Sequence, residues 1–509
     1  MWPLLFLAAL SHAASMAWPF HFGFESGQAL WALQLLSMLG LGFALQKAHS
    51  ARHAFALGQG FATVALSATF WWLFVAMHTY GGLPAVLAVL AVVTLAAALG
   101  LYYALACALW WRLAQKNPRK AALAFAAVWT LAELARGTWL TGFGWGAGGY
   151  AHVQGPLAFY IPWLGVYGVG ALAAWTGMAL AQGKNGPRWQ WAALAVLVLV
   201  SVAMPQGPER FSRSHGALTV TVLQGNIAQN EKFEARTGIV QSLEWYRQTL
   251  LNAKTQLVVA PETAIPVLPQ QLPAQYWNDL RAHFQRNGQA ALVGIPLGDN
   301  RLGYTNSVVG FLPESPKVLR YDKHHLVPFG EFIPPLFRWF TDLMHIPLGD
   351  FNRGAVAQAP FAFANQRLAP HICYEDLFGE ELAQRFTEPT ASPTVFVNLS
   401  NIGWFGDTVA IDQHLNIARM RAMEFERPFV RATNTGATVV IDHHGQVTHA
   451  APRLTQAVLV GEVNGREGLT PYAWWASRFG LWPLWLICIA LAVFSFAPFL
   501  PAGPVGRQK

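Results

Sequence analysis

Cysteine is scarce, with three in 509 residues. Cys107 and Cys488 lie in apolar runs, so the polar stretch that holds Cys373 has no partner thiol and cannot rest on an internal disulfide. Charge is scarce as well. Asp, Glu, Lys and Arg make up 12% of the chain, where a soluble domain carries about a quarter. The shortage is uneven. Residues 206–472 hold 22 Lys and Arg against 24 Asp and Glu, while the remainder holds 12 basic residues and only two acidic ones, Glu25 and Glu133. The polar block is therefore near neutral, which argues against a nucleic-acid partner, since that needs a basic face on the folded domain. Internal repeats and low-complexity tracts are missing too, so a repeat array is excluded.

What the chain has in plenty is hydrophobic length, 54% of its residues. Runs approaching the roughly 17–25 residues of a membrane span fall at 2–18, 29–45, 61–77, 83–110, 121–134, 157–180, 191–204 and 479–500. The first lacks a basic leader, so a retained helix is expected rather than a cleaved signal. Basic residues alternate between loops. Lys47 and Arg52, then Arg112, Lys116, Arg119 and Lys120, then Lys184 and Arg188, then Arg507 and Lys509 fall on one side; Arg136 and Arg478 fall on the other. Positive loops stay cytoplasmic. Eight spans then leave both termini cytoplasmic and the polar block outside. The Gly- and Trp-rich loop 136–146 faces the same outer side. It reads either as an aromatic interface belt or as a lipid-facing wall near the site.

The polar block alternates short β-branched runs with amphipathic stretches. Strands are expected at 218–224, 256–260, 290–295, 307–311, 317–321, 393–399, 429–432, 437–442 and 457–463, and helices at 238–253, 275–287 and 411–426. That count fits one layered α/β domain. Pro-rich joints at 205–208 and Pro471 mark the exits to the membrane.

Three residues stand at expected strand ends: Glu262 after Leu257-Val258-Val259-Ala260, Lys323 after Tyr321-Asp322, and Cys373 after His371-Ile372. A thiol nucleophile needs a base within reach and a fixed cation or donors for the oxyanion. Glu262 and Lys323 supply those groups. Each residue also has a plainer explanation alone: a surface acid, its ion-pair partner, a structural thiol. Two other function classes remain open, a membrane-anchored amidase using the same three residues and a non-enzymatic transporter. A transporter wants intramembrane charge pairs, and only Glu133 offers itself. Metal catalysis is disfavoured, since the pairs His324-His325 and His443-His444 lack zinc-ligand spacing.

The segments around these residues, Pro261-Glu262, Tyr321-x-Lys323-x-His325-Leu326-Val327-Pro328-Phe329-Gly330-Glu331 and Cys373-Tyr374-Glu375, resemble the Glu-Lys-Cys signature of the nitrilase superfamily. Asn401-x-x-Trp404-Phe405-Gly406-Asp407, the stretch from His414 to Ala422, Arg431 to Gly436 and Gly142-Phe143-Gly144-Trp145 are similar to its membrane-bound branch, the apolipoprotein N-acyltransferases of Gram-negative inner membranes.

The resemblance implies an αββα sandwich on a bundle of about eight transmembrane helices. A helical part at 1–205 would carry about seven of them, an extracytoplasmic catalytic domain would occupy 216–465, and a last helix 479–500. It implies Glu262 as general base, Lys323 as oxyanion stabiliser and Cys373 as nucleophile. Glu331, Tyr374, Glu375 and Trp404 would support the site or its substrate. Phe233 stands where the family carries Trp, which keeps a ring but loses an indole N–H. No cofactor or metal is implied. The implied partners are a phospholipid acyl donor such as phosphatidylethanolamine and a diacylated apolipoprotein acceptor, with a monomer in the bacterial inner membrane. Segments 332–351 and 401–409 are expected to act as lids.

Overall fold

The computed structural model describes residues 1–204, 207, 209–313, 315, 317–333 and 350–496. Seven helices open the chain: α1 (Trp2–Met16), α2 (Trp31–Gln46), α3 (Ala51–Thr69), α4 (Ala85–Lys116), α5 (Ala121–Thr138), α6 (Ile161–Gln182) and α7 (Arg188–Ala203). Their packing follows side-chain size. Along α4 the residues Ala88, Val92, Ala96, Gly100 and Ala104 recur every four positions and are buried, while Val86, Leu87, Val89, Leu90 and Val93 are exposed. Small residues on the inner ridge let backbones approach closely. A Cβ on Gly58 of α3 would meet Cys107 Sγ of α4 at 2.8 Å, so Cys107 packs as a small hydrophobe between two helices.

Among the described residues two helices are long and apolar enough to cross a membrane, Ala85–Lys116 and Pro156–Asn185. The pair Pro471–Phe479 and Trp482–Phe496, bent by 92°, makes a third if read as one span. The others are shorter. A 15-residue helix such as α1 rises about 22 Å, less than the roughly 30 Å of a hydrocarbon core.

The third apolar run is displaced from expectation. The helix occupies Ala51–Thr69 rather than 61–77, because Ser50 caps it by accepting from His53 N at 3.1 Å. The chain then tightens into a π-helical turn at Val75–Tyr80. The end of the last apolar run, residues 497–500, and the basic tail with Arg507 and Lys509 lie outside the described residues, as do 205, 206 and 208 of the first joint.

Helix α6 is broken near its start. Gly165 takes φ 65°, and a Cβ there would strike the ring of Tyr472 at 2.3 Å, so glycine is required on both counts. The break frees the Val166 N–H, which donates to Glu424 Oε1 at 2.7 Å, from a residue 258 positions away.

The polar block forms two six-stranded sheets. One has the order β12-β1-β2-β3-β4-β5, with β1 Ser212–Gln224, β2 Leu257–Ala260, β3 Ala290–Asp299, β4 Gly303–Phe311, β5 Leu319–Asp322 and β12 Ala457–Gly468. The other has the order β11-β10-β9-β8-β7-β6, with β6 Phe361–Phe363, β7 Gln366–Ile372, β8 Val395–Ser400, β9 Phe429–Thr433, β10 Val439–Ile441 and β11 Val447–Ala450. The inner faces share one core, with Leu218, Val220, Val222, Val259 and Leu292 meeting Leu368, Ile372, Val397, Leu399 and Val430. Helices α8 (Gly238–Asn252) and α9 (Ala274–Arg286) cover one outer face through Tyr246, Leu250, Leu280 and Phe284. The helix Ala410–Phe425 covers the other through Ala418, Ala422 and Phe425. This gives four layers, αββα.

Three strands escape the sequence patterns: β6, β7 and β11. β7 contains Pro370, which lies past the end of β6 and so has a neighbouring strand on one side only. A missing N–H is tolerated there.

Candidate active site

Strand direction brings the three residues to one edge. β2 and β3 are parallel, β4 reverses, and β5 reverses again, so β2 and β5 end on the same side of their sheet. Glu262 follows β2, Lys323 follows β5, and Cys373 follows β7 of the facing sheet.

Glu262 and Lys323 are both buried. Lys323 Nζ donates to Glu331 Oε1 at 2.9 Å and reaches Glu262 Oε1 at 3.5 Å. Asn306 of β4 ties the two acids together, its Nδ2 donating at 2.7 Å to Glu262 Oε1 and at 2.7 Å to Glu331 Oε1. The second oxygen of Glu262 accepts from Asn401 N at 2.7 Å, and that of Glu331 from Val327 N at 2.8 Å. Burial opposes the Lys323 charge, but the Glu331 and Glu262 carboxylates hold its pKa above the usual lysine value. The site thus contains a fixed cation in a low-dielectric setting, where its field acts at close to full strength.

Cys373 opens a 3-10 turn at φ 50°, in the left-handed region. The residue keeps some surface while its thiol is closely surrounded. Burial pushes that thiol up to about 12, aided by the Glu262 charge and opposed by Lys323. The resting sulfur is therefore an S–H at neutral pH and needs a base as it attacks.

Glu375 links the sheets. It accepts from Ile372 N at 2.6 Å beside the thiol, and from His324 N at 2.7 Å and Tyr321 O–H at 2.8 Å beside the lysine. Tyr374 turns toward the helical part. Its O–H donates to Gly142 O at 3.1 Å, and its ring stacks on Phe143 at 6.4 Å. The loop 136–146 therefore borders the site, with Leu140 91% exposed at its tip.

Trp404 lies edge-on to Tyr80 of the π-helical turn at 5.9 Å. Phe233 is exposed, 43% of its surface free. Segment 401–409 is described in full, whereas 334–349 of the other expected lid lies outside the described residues.

Sequence reasoning missed two polar neighbours, Asn306 and Lys232. Asn306 is a buried amide in β4 between Thr305 and Ser307, one residue before the expected strand, and nothing in that polar run sets it apart. Lys232 is buried and donates from Nζ to the Glu262 carbonyl at 3.1 Å. Burial lowers its pKa to about 7, with the Glu262 charge opposing.

The rings of His324 and His325 turn to different partners. His324 Nδ1 meets Gly354 O at 2.7 Å, while His325 Nδ1 meets Glu381 Oε1 at 3.0 Å. Among the described residues no group of three or more His, Cys, Asp or Glu is placed to hold a metal ion.

Comparison with known proteins bears on both parts of the chain. Residues 13–179 match the family described as apolipoprotein N-acyltransferase N-terminal domain, and residues 219–472 match the carbon-nitrogen hydrolase family. A protein of Verminephrobacter eiseniae (strain EF01-2) named apolipoprotein N-acyltransferase is 54% identical over 94% of this chain and 93% of its own. One of the same name from Ralstonia nicotianae (strain ATCC BAA-1114 / GMI1000) is 44% identical over 87% of this chain and 85% of its own. Among solved structures, a carbon-nitrogen hydrolase from Helicobacter pylori G27 aligns at TM-score 0.37 and 16% identity over 54% of this chain and 95% of that one.

Proposed function

The chain belongs to the apolipoprotein N-acyltransferase family, and from that premise we propose how its residues move an acyl group from a phospholipid to a lipoprotein. The acyl donor is a membrane phospholipid such as phosphatidylethanolamine. The acceptor is the α-amino group of the diacylglyceryl-cysteine that begins an apolipoprotein.

Glu262 takes the proton from Cys373 as Sγ attacks the donor ester carbonyl. The oxyanion lies against Lys323. Collapse breaks the ester C–O bond, and the lysophospholipid leaves with the proton returned by Glu262. The thioester then meets the amine. Glu262 accepts the amine proton, the second oxyanion again faces Lys323, and the C–S bond breaks. The proton goes back to Cys373, and the product is an N-acylated, triacylated lipoprotein. Glu331 and Glu375 hold Lys323 and the two strand ends in register. Tyr374, Trp404 and Phe233 line the approach of acyl chains, and segment 401–409 keeps water from the thioester.

The observation that carries this reading is the convergence of Glu262 and Lys323 of one sheet with Cys373 of the facing sheet, at strand ends that the loop 136–146 borders through Tyr374. Such a site suits substrates held in a bilayer. The test is mass spectrometry of protein incubated with phosphatidylethanolamine carrying an isotopically labelled acyl chain. A labelled acyl adduct on Cys373, discharged by a diacylated peptide, is expected. A hydrolase acting on a soluble amide gives no lipid-derived adduct, and that result overturns the proposal.

The enzyme is placed in the bacterial inner membrane as a monomer, with about seven helices in 1–205, the catalytic domain 216–465 in the periplasm and a final helix at 479–500. Eight apolar helices of 15 to 32 residues support that count, namely α1 to α7 and Trp482–Phe496. The alternation of basic loops supports the orientation. Reporters fused near residue 212 are expected to read as periplasmic and those at 116–120 as cytoplasmic. The reverse pattern refutes the orientation.

A further inference from the structure

Behind the nucleophile lies a closed polar network that the proposed chemistry does not use. Asp376, His371, His414, Asn398 and Arg431 are all at most 1% exposed. Asp376 sits at the centre. Its Oδ1 accepts from His371 Nε2 at 2.6 Å and Asn398 Nδ2 at 3.0 Å, and its Oδ2 accepts from Arg431 Nη1 at 2.7 Å. Burial opposes that charge, but the bonds from His371 and His414 and the Arg431 cation hold the carboxyl well below its usual range.

Arg431 decides the state of His414. A guanidinium has donors only, and Arg431 Nη2 lies 2.9 Å from His414 Nδ1. That nitrogen must then be the acceptor, so the ring is neutral and its proton is on Nε2. Burial and the Arg431 charge keep it so, lowering its pKa to about 4. The Nε2–H lies 3.3 Å from the Cys373 carbonyl oxygen, with Asp376 Oδ2 at 3.4 Å. Asn398 Nδ2 approaches the same carbonyl at 3.4 Å.

Cys373 needs such restraint. Its φ of 50° is disfavoured for a residue with a side chain, and such conformations persist only where the surroundings impose them. A carbonyl met by two fixed donors has its peptide plane fixed, and the direction of Sγ follows. We propose that His414, locked in one tautomer by Arg431 and anchored through Asp376, is a positioning residue that holds the nucleophile's main chain so that the thiol faces Glu262 and Lys323. The inference rests on the acyltransferase reading of Cys373 and adds to it a relay from β9 and the helix Ala410–Phe425. That relay reaches the helical part, because Trp145 of the loop 136–146 packs on the His414 ring at 5.3 Å and donates to neighbouring Gln413 at 2.8 Å.

The experiment uses the full chain in detergent or liposomes with Cys107 and Cys488 replaced by Ala, so that Cys373 is the one thiol. His414→Leu removes the donor, His414→Gln keeps an N–H near the Nε2 position, and Asp376→Asn keeps shape without charge. Acyl-enzyme formation from phosphatidylethanolamine is timed in single turnovers, and alkylation of Cys373 by iodoacetamide is timed separately. His414→Leu is expected to slow acylation about 10²-fold, the scale on which a misplaced reacting group acts, with KM for the phospholipid unchanged and alkylation slowed as well. His414→Gln recovers most of the loss. Acylation at the parent rate, a loss carried by KM, or no recovery in His414→Gln overturns the proposal. Should His414→Leu fail to fold, Asp376→Asn is read by the same acylation, KM and alkylation criteria. A parent protein that forms no acyl adduct defeats the acyltransferase reading instead. The alkylation comparison still decides the positioning, since equal rates in parent and variant refute it.

Discussion

Cys373→Ala is expected to abolish both the fatty-acyl adduct and lipoprotein N-acylation, while the protein keeps its fold. The loss should reach about 10⁴-fold or more, the scale seen when a member of a covalent catalytic set is removed. Alanine leaves no atom that can carry the acyl group, so the first half-reaction has no product. The fold should tolerate the change. Alanine accepts the φ of 50° as well as cysteine does, and the carbonyl contacts of residue 373 are main-chain. Cys107→Ala and Cys488→Ala provide the contrast, since both residues are buried among apolar helices away from the strand ends. The measurement is N-acylation of a diacylated peptide, with thermal unfolding in detergent as control. Turnover of Cys373→Ala within tenfold of the parent would sink the covalent route.

Glu262→Gln and Lys323→Met test the two charges separately. Glu262→Gln keeps the size of the side chain and its contact with Asn401 N but cannot take a proton. The thiol is an S–H at neutral pH, with its pKa pushed up to about 12, so the thioester should fail to form. Lys323→Met removes the cation that both oxyanions face. Losing one oxyanion stabiliser typically costs about 10²–10³ in rate, and Lys323→Met should fall at least that far in both half-reactions. It also leaves Glu262 and Glu331, joined through Asn306, without the cation that contacts both. Breaking a buried ion pair costs about 3–5 kcal/mol, so a lower unfolding temperature should accompany the lost rate. Lys323→Arg is no rescue, because a planar fork does not replace an ammonium point charge. Single-turnover acylation, followed by transfer to peptide from preformed acyl-enzyme, separates the steps. Normal acylation by Glu262→Gln would remove it as the base.

Glu262 and Lys323, two of the proposed catalytic residues, were legible because each follows a short run that periodicity exposes, while Cys373 stood out as the one thiol of the polar block. The nine expected strands match nine found, mostly within two residues at their C-terminal ends. β7 was not legible, since Pro370 and His371 interrupt its pattern and its place in the sheet depends on where β6 stops. The third helix slipped because hydropathy weighs Trp71 and Trp72 as heavily as helix residues, while the Ser50 cap is a local hydrogen bond. Asn306, Lys232 and the Asp376 network were illegible for a different reason. Their meaning lies in contacts between separate elements, such as Arg431 of β9 with His414 of the helix Ala410–Phe425, and no spacing along the chain encodes those distances.

The break in α6 has a consequence for how the protein is made. In the proposed topology, α6 enters the bilayer before Glu424, 258 positions after Val166, has been made. Until then the Val166 N–H lacks this acceptor, and a buried donor left unsatisfied costs about 1–3 kcal/mol. The remedy comes from the catalytic domain, whose helix Ala410–Phe425 delivers the carboxylate from outside. Ribosome order thus leaves the break in α6 uncapped until a later segment of the polar block docks on it. In that topology the helical part is a receptacle closed only after translocation of the polar block, so maturation of the bundle and of the site are one event.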